Sequence, residues 1–521
     1  MDKRDTGFHR NGWRKFWSAA LATVVAMSLA SCGSDDSGDE DGGGGTSTLR
    51  FASYGPPIRS WDPHRDGRAA SNILLFAVYD RLVHQDAGGD LVPGLATEWT
   101  FSDDTTFEMT LREGVTFQDG EPFDAEAVKA NIERAQTVDE GTGPWAGPLG
   151  VVESVEVVDP THVVMHLAAP AASLPTLLSD SAGAMISPKA FESVDLNETT
   201  DGAGMYELES WTADGNATLK AYDGYWDKDA VGPTTIEVPF QLDQLRRLDM
   251  FKADEVDATF GHTSFVAGAK DAGLDVDAKD GLNFWFMDVD QGVAPFNDKN
   301  VRLAINYALD RTALIDTLLQ GEATENHQPF PESSVGFSDE IGATPYAQDL
   351  DEAEQLLADA GYADGLTFDC AIIPGSGGAY AQYAEVVADQ LSKVGITMNI
   401  QQVESQSAAL LIDNTVDCAI MPYGTLSPIV TAKQLFGATG YYNAAKAADA
   451  ETTELLTALD QPQSDEELDA DFDALMQHVV DNGMFISLFF EKWAVISNDK
   501  VEGLDFWIGG QYTEFRNVKV S

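Results

Sequence analysis

Between residues 349 and 425 the spacing of apolar positions switches repeatedly between the period of a helix and that of a strand. Ala353, Leu356, Leu357 and Ala360 share one helical stripe, which starts behind Asp351 as a cap and stops at Gly361. "GLTFDCAIIP" reads as a strand that breaks at Pro374. Tyr383, Val386, Val387, Leu391 and Val394 mark a second helix, ended by Gly395. "ITMNIQQV" is the next strand, "SAALLID" a short helix and "VDCAIMPY" a third strand. This strand–helix–strand–helix–strand order predicts a parallel sheet with right-handed crossovers. Ligands on open parallel sheets bind beyond the carboxyl ends of the strands. Two loops leave at those ends, over residues 374–378 and 423–428.

The first half carries a different pattern. "FEMTLREGVTFQDGEPF" alternates like antiparallel strands turning at Asp119-Gly120. Asp124 then caps a helix with Val128, Ile132 and Ala135 inward, and "VVESVEVVDPTHVVMHLAAP" is a hairpin around Asp159-Pro160. "DKNVRLAINYALDRTALIDTLLQG" predicts one helix from near Asp298 to Gly321. No internal repeat is visible. The 521 residues exceed what one core usually serves, so the pattern predicts an α/β protein of at least two lobes.

Composition sharpens this picture at one place. Residues 418–448 contain no Asp or Glu, in a chain that has 86 of them. The stretch runs through a strand's carboxyl end, so it fits a surface facing a ligand or a packing face against another lobe. Elsewhere the formal net charge of −55 repels nucleic acid and anionic lipid, and fits a general solubility or salt adaptation.

The amino terminus is a separate object. Five basic residues precede "FWSAALATVVAMSLA", an apolar run too short to span a bilayer. Leu29-Ala30-Ser31-Cys32 resembles a bacterial lipobox, which makes residues 1–31 a signal peptide and Cys32 the lipid attachment point. Residues 32–48, with "GSDDSGDEDGGGGTST", read as a flexible, self-repelling tether. No later stretch approaches the roughly 18 apolar residues of a spanning helix. Export permits Cys370 and Cys418 to oxidise. Parallel neighbours seldom meet disulfide geometry, so two buried thiols are expected, with pairing left open.

Longer segments carry a resemblance. "WDPHRDGRAASNILLFAVYDRLVHQDAGGDLVPGLATEWTFSDDTTFEMTLREGVTFQDGEPFDAEAVKANIERA" is similar to the opening of the family-five extracellular solute-binding proteins, the receptors of peptide and nickel ABC importers. "GAGMYELESWTADGNATLKAYDGYW", "APFNDKNVRLAINYALDRTALI" and "DEAEQLLADAGYADG" match later family segments in order. The resemblance covers roughly residues 49–521. It implies a bilobal periplasmic-binding-protein-like fold of the class II type. Lobe I would comprise residues 49–282 and 493–521, with a subdomain at about 81–204, and lobe II residues 283–492. The family's charged anchors look absent. Tyr423 stands where peptide-binding members have a Trp, Leu426 or Ser427 occupies the acidic place, and the loop that carries an Arg elsewhere is "PGSGGAY". A pocket without those charges favours a neutral, blocked or differently charged solute.

Candidate contacts follow from position. Tyr423, with Gly424 and Thr425, lies at a strand's carboxyl end, where it either meets a ligand or packs between sheet and loop. Ser376 and Gly377 sit in a Gly-rich loop that opens a helix, so their amides either accept an oxygen or serve a tight turn. Tyr54 and Trp61 follow the first strand on a loop that lines the cleft in relatives, though Trp61 equally reads as a core plug. Trp145 stands on a Gly/Pro loop. Trp285, between Phe284 and Phe286, runs along the presumed hinge, and Tyr441 ends the acid-free stretch. His162 and His166 lie on a hairpin, a poor basis for a metal site. No G-x-S-x-G, H-E-x-x-H or C-x-x-C motif occurs, so neither catalysis nor a cofactor or metal is expected.

The expectation is a lipid-anchored, monomeric receptor on the outer face of the cytoplasmic membrane. It would capture a peptide-class solute and deliver it to an ABC permease and ATPase complex. A neutral oligosaccharide or other organic solute is the second choice. A surface lipoprotein that kept the fold without a transport role is the third.

Overall fold

The computed structural model describes residues 47–53, 58–66, 69–213, 215–241, 243–373, 379–411, 413, 415–424, 427–505 and 513–521. Tyr54, Ser376, Gly377, Thr425 and Cys32 lie outside them. Within the described residues eleven strands form one long mixed sheet. Ten of them are β1 (Thr48–Ala52), β2 (Tyr206–Trp211), β3 (Asn216–Ala221), β4 (Thr235–Pro239), β5 (Ala258–His262), β6 (Asp275–Val289), β7 (Leu366–Ile372), β8 (Ile396–Gln402), β9 (Cys418–Gly424) and β10 (Ser487–Ser497). Their spatial order is β8-β7-β9-β6-β10-β5-β1-β4-β3-β2, and the eleventh, Ala323–Thr324, pairs with β10.

The strand–helix–strand–helix–strand unit forms one end of this sheet. β7 runs parallel to both β8 and β9, with helices Ala379–Ser392 and Gln406–Leu411 as the crossovers. β9 is apolar and buried from Cys418 to Met421 because both sheet faces are covered there. One face holds a core around Trp285, Tyr383, Val387 and Ile420, and the other a core around Phe284, Phe286, Met421 and Phe472. The opposite end has its own core, which includes Leu49, Phe51, Tyr206 and Phe260.

β6 and β10 join the two ends. Residues 275–280 of β6 pair with 492–497 of β10 beside β5, and residues 284–286 pair with 487–490 beside β9. The register shifts between Asp280 and Phe284. Both strands therefore pass from one half-sheet to the other near residues 281–283 and 491.

A four-stranded antiparallel sheet, in the order Ala96–Asp103, Thr106–Leu111, His162–Leu167, Val152–Asp159, packs on helix Ala125–Gly141. It owns a separate core with Phe107, Val128 and Met165. The carboxyl-terminal segment returns to the β1 end, where Phe515 meets Phe51 with ring centroids 5.4 Å apart.

Part of the acidity goes into helix starts. Asp124, Asp243, Asp298, Asp310, Asp349 and Asp449 each accept a backbone N–H of a first helical turn. The cap of helix Leu350–Asp359 is thus Asp349 and not Asp351, which lies in the first turn. The single helix expected over residues 298–321 is two, Lys299–Ala308 and Arg311–Leu319. Leu309 leaves the helical region with ψ 127°, and Asp310 restarts the helix by accepting from the Ala313 N–H at 2.9 Å. The alternating run over 107–123 supplies only one strand, because Thr106–Leu111 pairs outward with Ala96–Asp103. The Asp119-Gly120 turn closes just a bridge between Thr116 and Pro122.

The two thiols are also corrected. Cys370 and Cys418 stand directly opposite in the β7/β9 register, with Cα atoms 4.5 Å apart, and form a disulfide across 48 residues. Parallel pairing seldom aligns two cysteines, but direct opposition brings them within reach.

Candidate functional site at the strand crossing

β9 and the helix after it bury the first part of the acid-free stretch. After β9, Ser427 caps helix Pro428–Phe436, whose Ile429, Thr431, Ala432, Leu435 and Phe436 are buried. Of its cations, Lys433 pairs with the Asp460 carboxylate at 2.8 and 2.9 Å. The Lys446 ammonium donates to the carbonyls of Gly440 and Tyr441 at 2.8 and 2.9 Å. An acid on the inner face of this segment would be desolvated without a partner, which accounts for much of the composition.

Its half-buried residues at the end of β9 lie where β6 and β10 cross. The Tyr423 ring stands 5.7 Å from Phe284 and 4.3 Å from Tyr442. Gly424 pairs with Asn283 on β6. Strand alternation puts Trp285 on the other face. There it packs against Tyr380, Tyr383 and Phe489 at 4.7, 4.8 and 6.0 Å, and its indole N–H points to Glu491 Oε2 at 3.4 Å.

Glu491, Lys492 and Trp493 are half-buried, while the β10 residues on either side of them are buried. The strand surfaces at its midpoint. Burial, and then the Glu491 charge, push the Tyr383 hydroxyl well above its ordinary range and also raise Tyr380. Burial with the neighbouring Tyr441 and Asp288 pushes Tyr442 up to about 12. The seam thus offers aromatic faces, neutral phenols and one carboxylate.

Of the residues expected from sequence, Tyr423 and Gly424 lie at the end of β9 on the Phe284 side, and Trp285 stands on the opposite face of the adjacent strand. Tyr441 reaches the group only through Tyr442, 5.0 Å away, and is itself 46% exposed. Trp61 and Trp145 lie elsewhere. Trp61 is fully buried against Trp211, with centroids 6.1 Å apart. The Trp145 N–H donates to the Pro63 carbonyl at 2.9 Å. Both secure the segment over residues 58–66, which Arg134 ties down by donating to Asp62 at 3.0 Å and contacting His64 Nδ1 at 2.9 Å. Burial lowers His64 to about 4, so the ring accepts from Arg134 as a neutral imidazole.

His162 is exposed and His166 half-buried, and they meet Asp159 and Glu156 at 2.9 and 3.2 Å. Among the described residues no cluster of three or more His, Cys, Asp or Glu is arranged to hold a metal. Glu491 was missed from sequence. Its signal is the Glu-Lys pair that interrupts an otherwise apolar strand, "SLFFEKWAVIS".

Comparison with known proteins completes the description. The model of the bacterial extracellular solute-binding proteins, family 5 Middle, matches residues 90–443. The glutathione-binding protein GsiB of Salmonella paratyphi A is 30% identical over 365 residues, covering 69% of this chain and 70% of that protein. HbpA2 from Haemophilus parasuis superposes with a TM-score of 0.80 at 22% identity, over 91% of this chain and 100% of its own. NikA from Brucella suis in complex with Fe(III)-EDTA gives 0.79 at 22%, over 91% and 100% of the two chains. DppA from Helicobacter pylori in complex with peptide STSA gives 0.75 at 22%, over 91% and 98%. The superpositions establish an α/β fold of the periplasmic-binding-protein type.

Proposed function

Because the chain belongs to the family 5 bacterial extracellular solute-binding proteins, and is a receptor and not an enzyme, we propose that it captures a peptide-class solute between two lobes hinged at the β6/β10 crossing. The loaded form would then be delivered to a membrane permease and its ATPase. The observation that carries this reading is the passage of two paired strands between half-sheets at a register shift. Bending there moves one half against the other without opening either core. A second contact lies far along the chain from the crossing. The Ala172 N–H, beside the four-stranded sheet, donates to the Asp460 carbonyl at 3.0 Å, and Ala172 packs on the Phe284 core. A solute that touches both sides favours the closed population by its differential affinity for the two states.

Glu491 bears on the solute class. The loops expected to lack charged anchors, over residues 374–378 and 425–426, lie outside the described residues, but the crossing supplies a carboxylate beside Trp285. A peptide's free ammonium end finds its counter-charge there, and aromatic faces take the apolar remainder. The names of GsiB, a glutathione-binding protein, and of DppA with its bound peptide favour the same class. The lipobox-like residues before Cys32 support a lipid anchor at the outer face of the membrane.

Calorimetry with free-ended, N-acetylated and C-amidated peptides, and with neutral oligosaccharides, tests this. Free-ended peptides are expected to bind, and either N-acetylation or Glu491→Gln to weaken binding by about 1.5–3 kcal/mol. Saturable binding of oligosaccharides with no response to peptides would reverse the assignment.

A further inference from the structure

On the β6 face that carries Phe284 and Phe286, the next side chain in line is Asp288. It is 7% exposed, and its Oδ2 has no hydrogen-bond partner among the described residues. It borders a cavity of about 10 Å³, room for one water-sized group, walled by Phe286, Leu435, Phe436, Tyr442 and Met484 among others. Gln291, Leu435, Phe436 and Met484 also line a neighbouring groove of about 320 Å³ that opens to solvent.

The groove has a polarity of its own. The Gln291 amide donates to the Met484 carbonyl at 2.9 Å, and that of Asn482 to the His478 carbonyl at 2.9 Å. The Asn443 amide donates to the carbonyls of Phe436, Gly437 and Ala447 at 3.2, 3.0 and 2.8 Å. These NH₂ groups are spent on backbone, and no donor among the described residues meets the three amide oxygens. Arg302, the cation of the lining, donates to the carbonyls of Phe296 and Asn482 at 2.6 and 2.7 Å. Acceptors are left over, and the buried one is a carboxyl.

We propose that this groove and the cavity behind it bind a small ammonium-type cation, either the free ion or the –NH₃⁺ end of a primary amine, with Asp288 as its terminal acceptor. Ammonium matches a water-sized space and brings N–H donors to an oxygen-lined approach. A quaternary amine exceeds the space, and Ca²⁺ demands 6–8 oxygens, where an aromatic wall supplies few. Met484 and Gln291 are unbranched and stand between groove and cavity, so their rotation opens the way.

The groups facing Asp288 set the proton balance. Tyr442 and Lys446 approach from the 437–448 segment and Asp290 from its own strand, while Leu435, Phe436 and Phe485 are apolar. Burial pushes the carboxyl well above its usual range, and the Val289 N–H and Lys446 only partly oppose it. Without a cation beside it, burial therefore favours the protonated form of this carboxyl. Binding leaves the carboxylate paired with the ammonium and releases one proton to solvent. Tyr442 also contacts Tyr423, 4.3 Å away, so the occupied site borders the crossing.

Melting temperature and calorimetry at pH 7 with ammonium, methylammonium, tetramethylammonium and sodium chlorides at equal ionic strength test the proposal. A saturable rise of about 1–2 °C at tenfold excess over Kd is expected for ammonium or methylammonium, and none for tetramethylammonium. Preference for methylammonium identifies a primary amine, and preference for ammonium the free ion. Calorimetry of the unmodified protein in two buffers of different ionisation enthalpy should show net proton release on binding. Asp288→Asn should abolish both signals. Equal shifts with every salt, or saturable binding without proton release, overturn the site. So does a response unchanged in Asp288→Asn.

Discussion

Two buried aspartates, Asp80 and Asp288, have opposite surroundings. Asp80, near the β1 end, meets His84, accepts from Tyr225 Oη at 2.9 Å and Trp226 Nε1 at 2.7 Å, and lies 3.9 Å from Arg516. Arg516 in turn pairs with Asp227 at 3.2 Å. Arg81, beside Asp80, pairs with Glu514. Burial alone would raise the Asp80 carboxyl, but His84, Arg516 and Trp226 hold it well below the usual range. Asp288 is buried in a comparable way without such partners and is pushed up instead. Partners, more than burial, decide whether a carboxyl inside this protein is charged. The first arrangement is a structural clasp that ties residues 514–516 to the β1 end. The second is an acceptor left open.

The largest expected effect comes from breaking the clasp. Asp80→Ala leaves Arg516 and Tyr225 facing a void and should cost about 3–5 kcal/mol in urea unfolding. A loss below 1 kcal/mol would mean the network is not holding the carboxyl-terminal segment. The β9 end is tied covalently in place of a charged clasp. Replacing Cys370 and Cys418 together by Ala should cost about 3–4 kcal/mol, from the 48-residue loop that the disulfide closes. Unchanged stability under reducing conditions would contradict that.

Asp288→Asn should act with the opposite sign. Its folded pKa lies above the unfolded value of about 4, so between the two the folded protein keeps a proton that the unfolded chain has lost. Wild-type stability then falls as pH rises through that window, by up to about 1.4 kcal/mol per unit, and the Asn variant is spared. The variant should therefore be the more stable at pH 8, and the two should converge near pH 4. Parallel pH profiles would show that Asp288 is no more perturbed than an exposed acid. The smallest effect belongs to the contact between the halves. Ala172→Pro removes the N–H that meets Asp460, and should weaken solute affinity by about 1 kcal/mol while leaving each core intact.

Legibility followed locality. The unit from β7 to β9 was readable because helix and strand periods alternate there with Gly and Pro stops. The break at Leu309 was not, because the apolar stripe continues across it and only the second cap, Asp310, marks the restart. The disulfide depends on register, which periodicity leaves undetermined by whole residues. At the site, Tyr423 and Trp285 were found through their place on strands, whereas Glu491 was overlooked in a run read as core. Trp61 and Trp145 look identical to ligand-facing aromatics in sequence. Only the fold turns them inward onto residues 58–66. Asp288 was indistinguishable from the other acids, since nothing local reveals a missing partner.

The most direct measurement is a distance across the proposed hinge. Val158 and Val335 are exposed, at 57% and 49%, on the four-stranded sheet and beside the Phe284 core respectively. Spin labels on Val158→Cys and Val335→Cys should report a broad, longer distribution without solute. Adding a free-ended peptide shown by calorimetry to bind should give a narrow, shorter one. A single distribution that bound peptide leaves unmoved would contradict hinged capture.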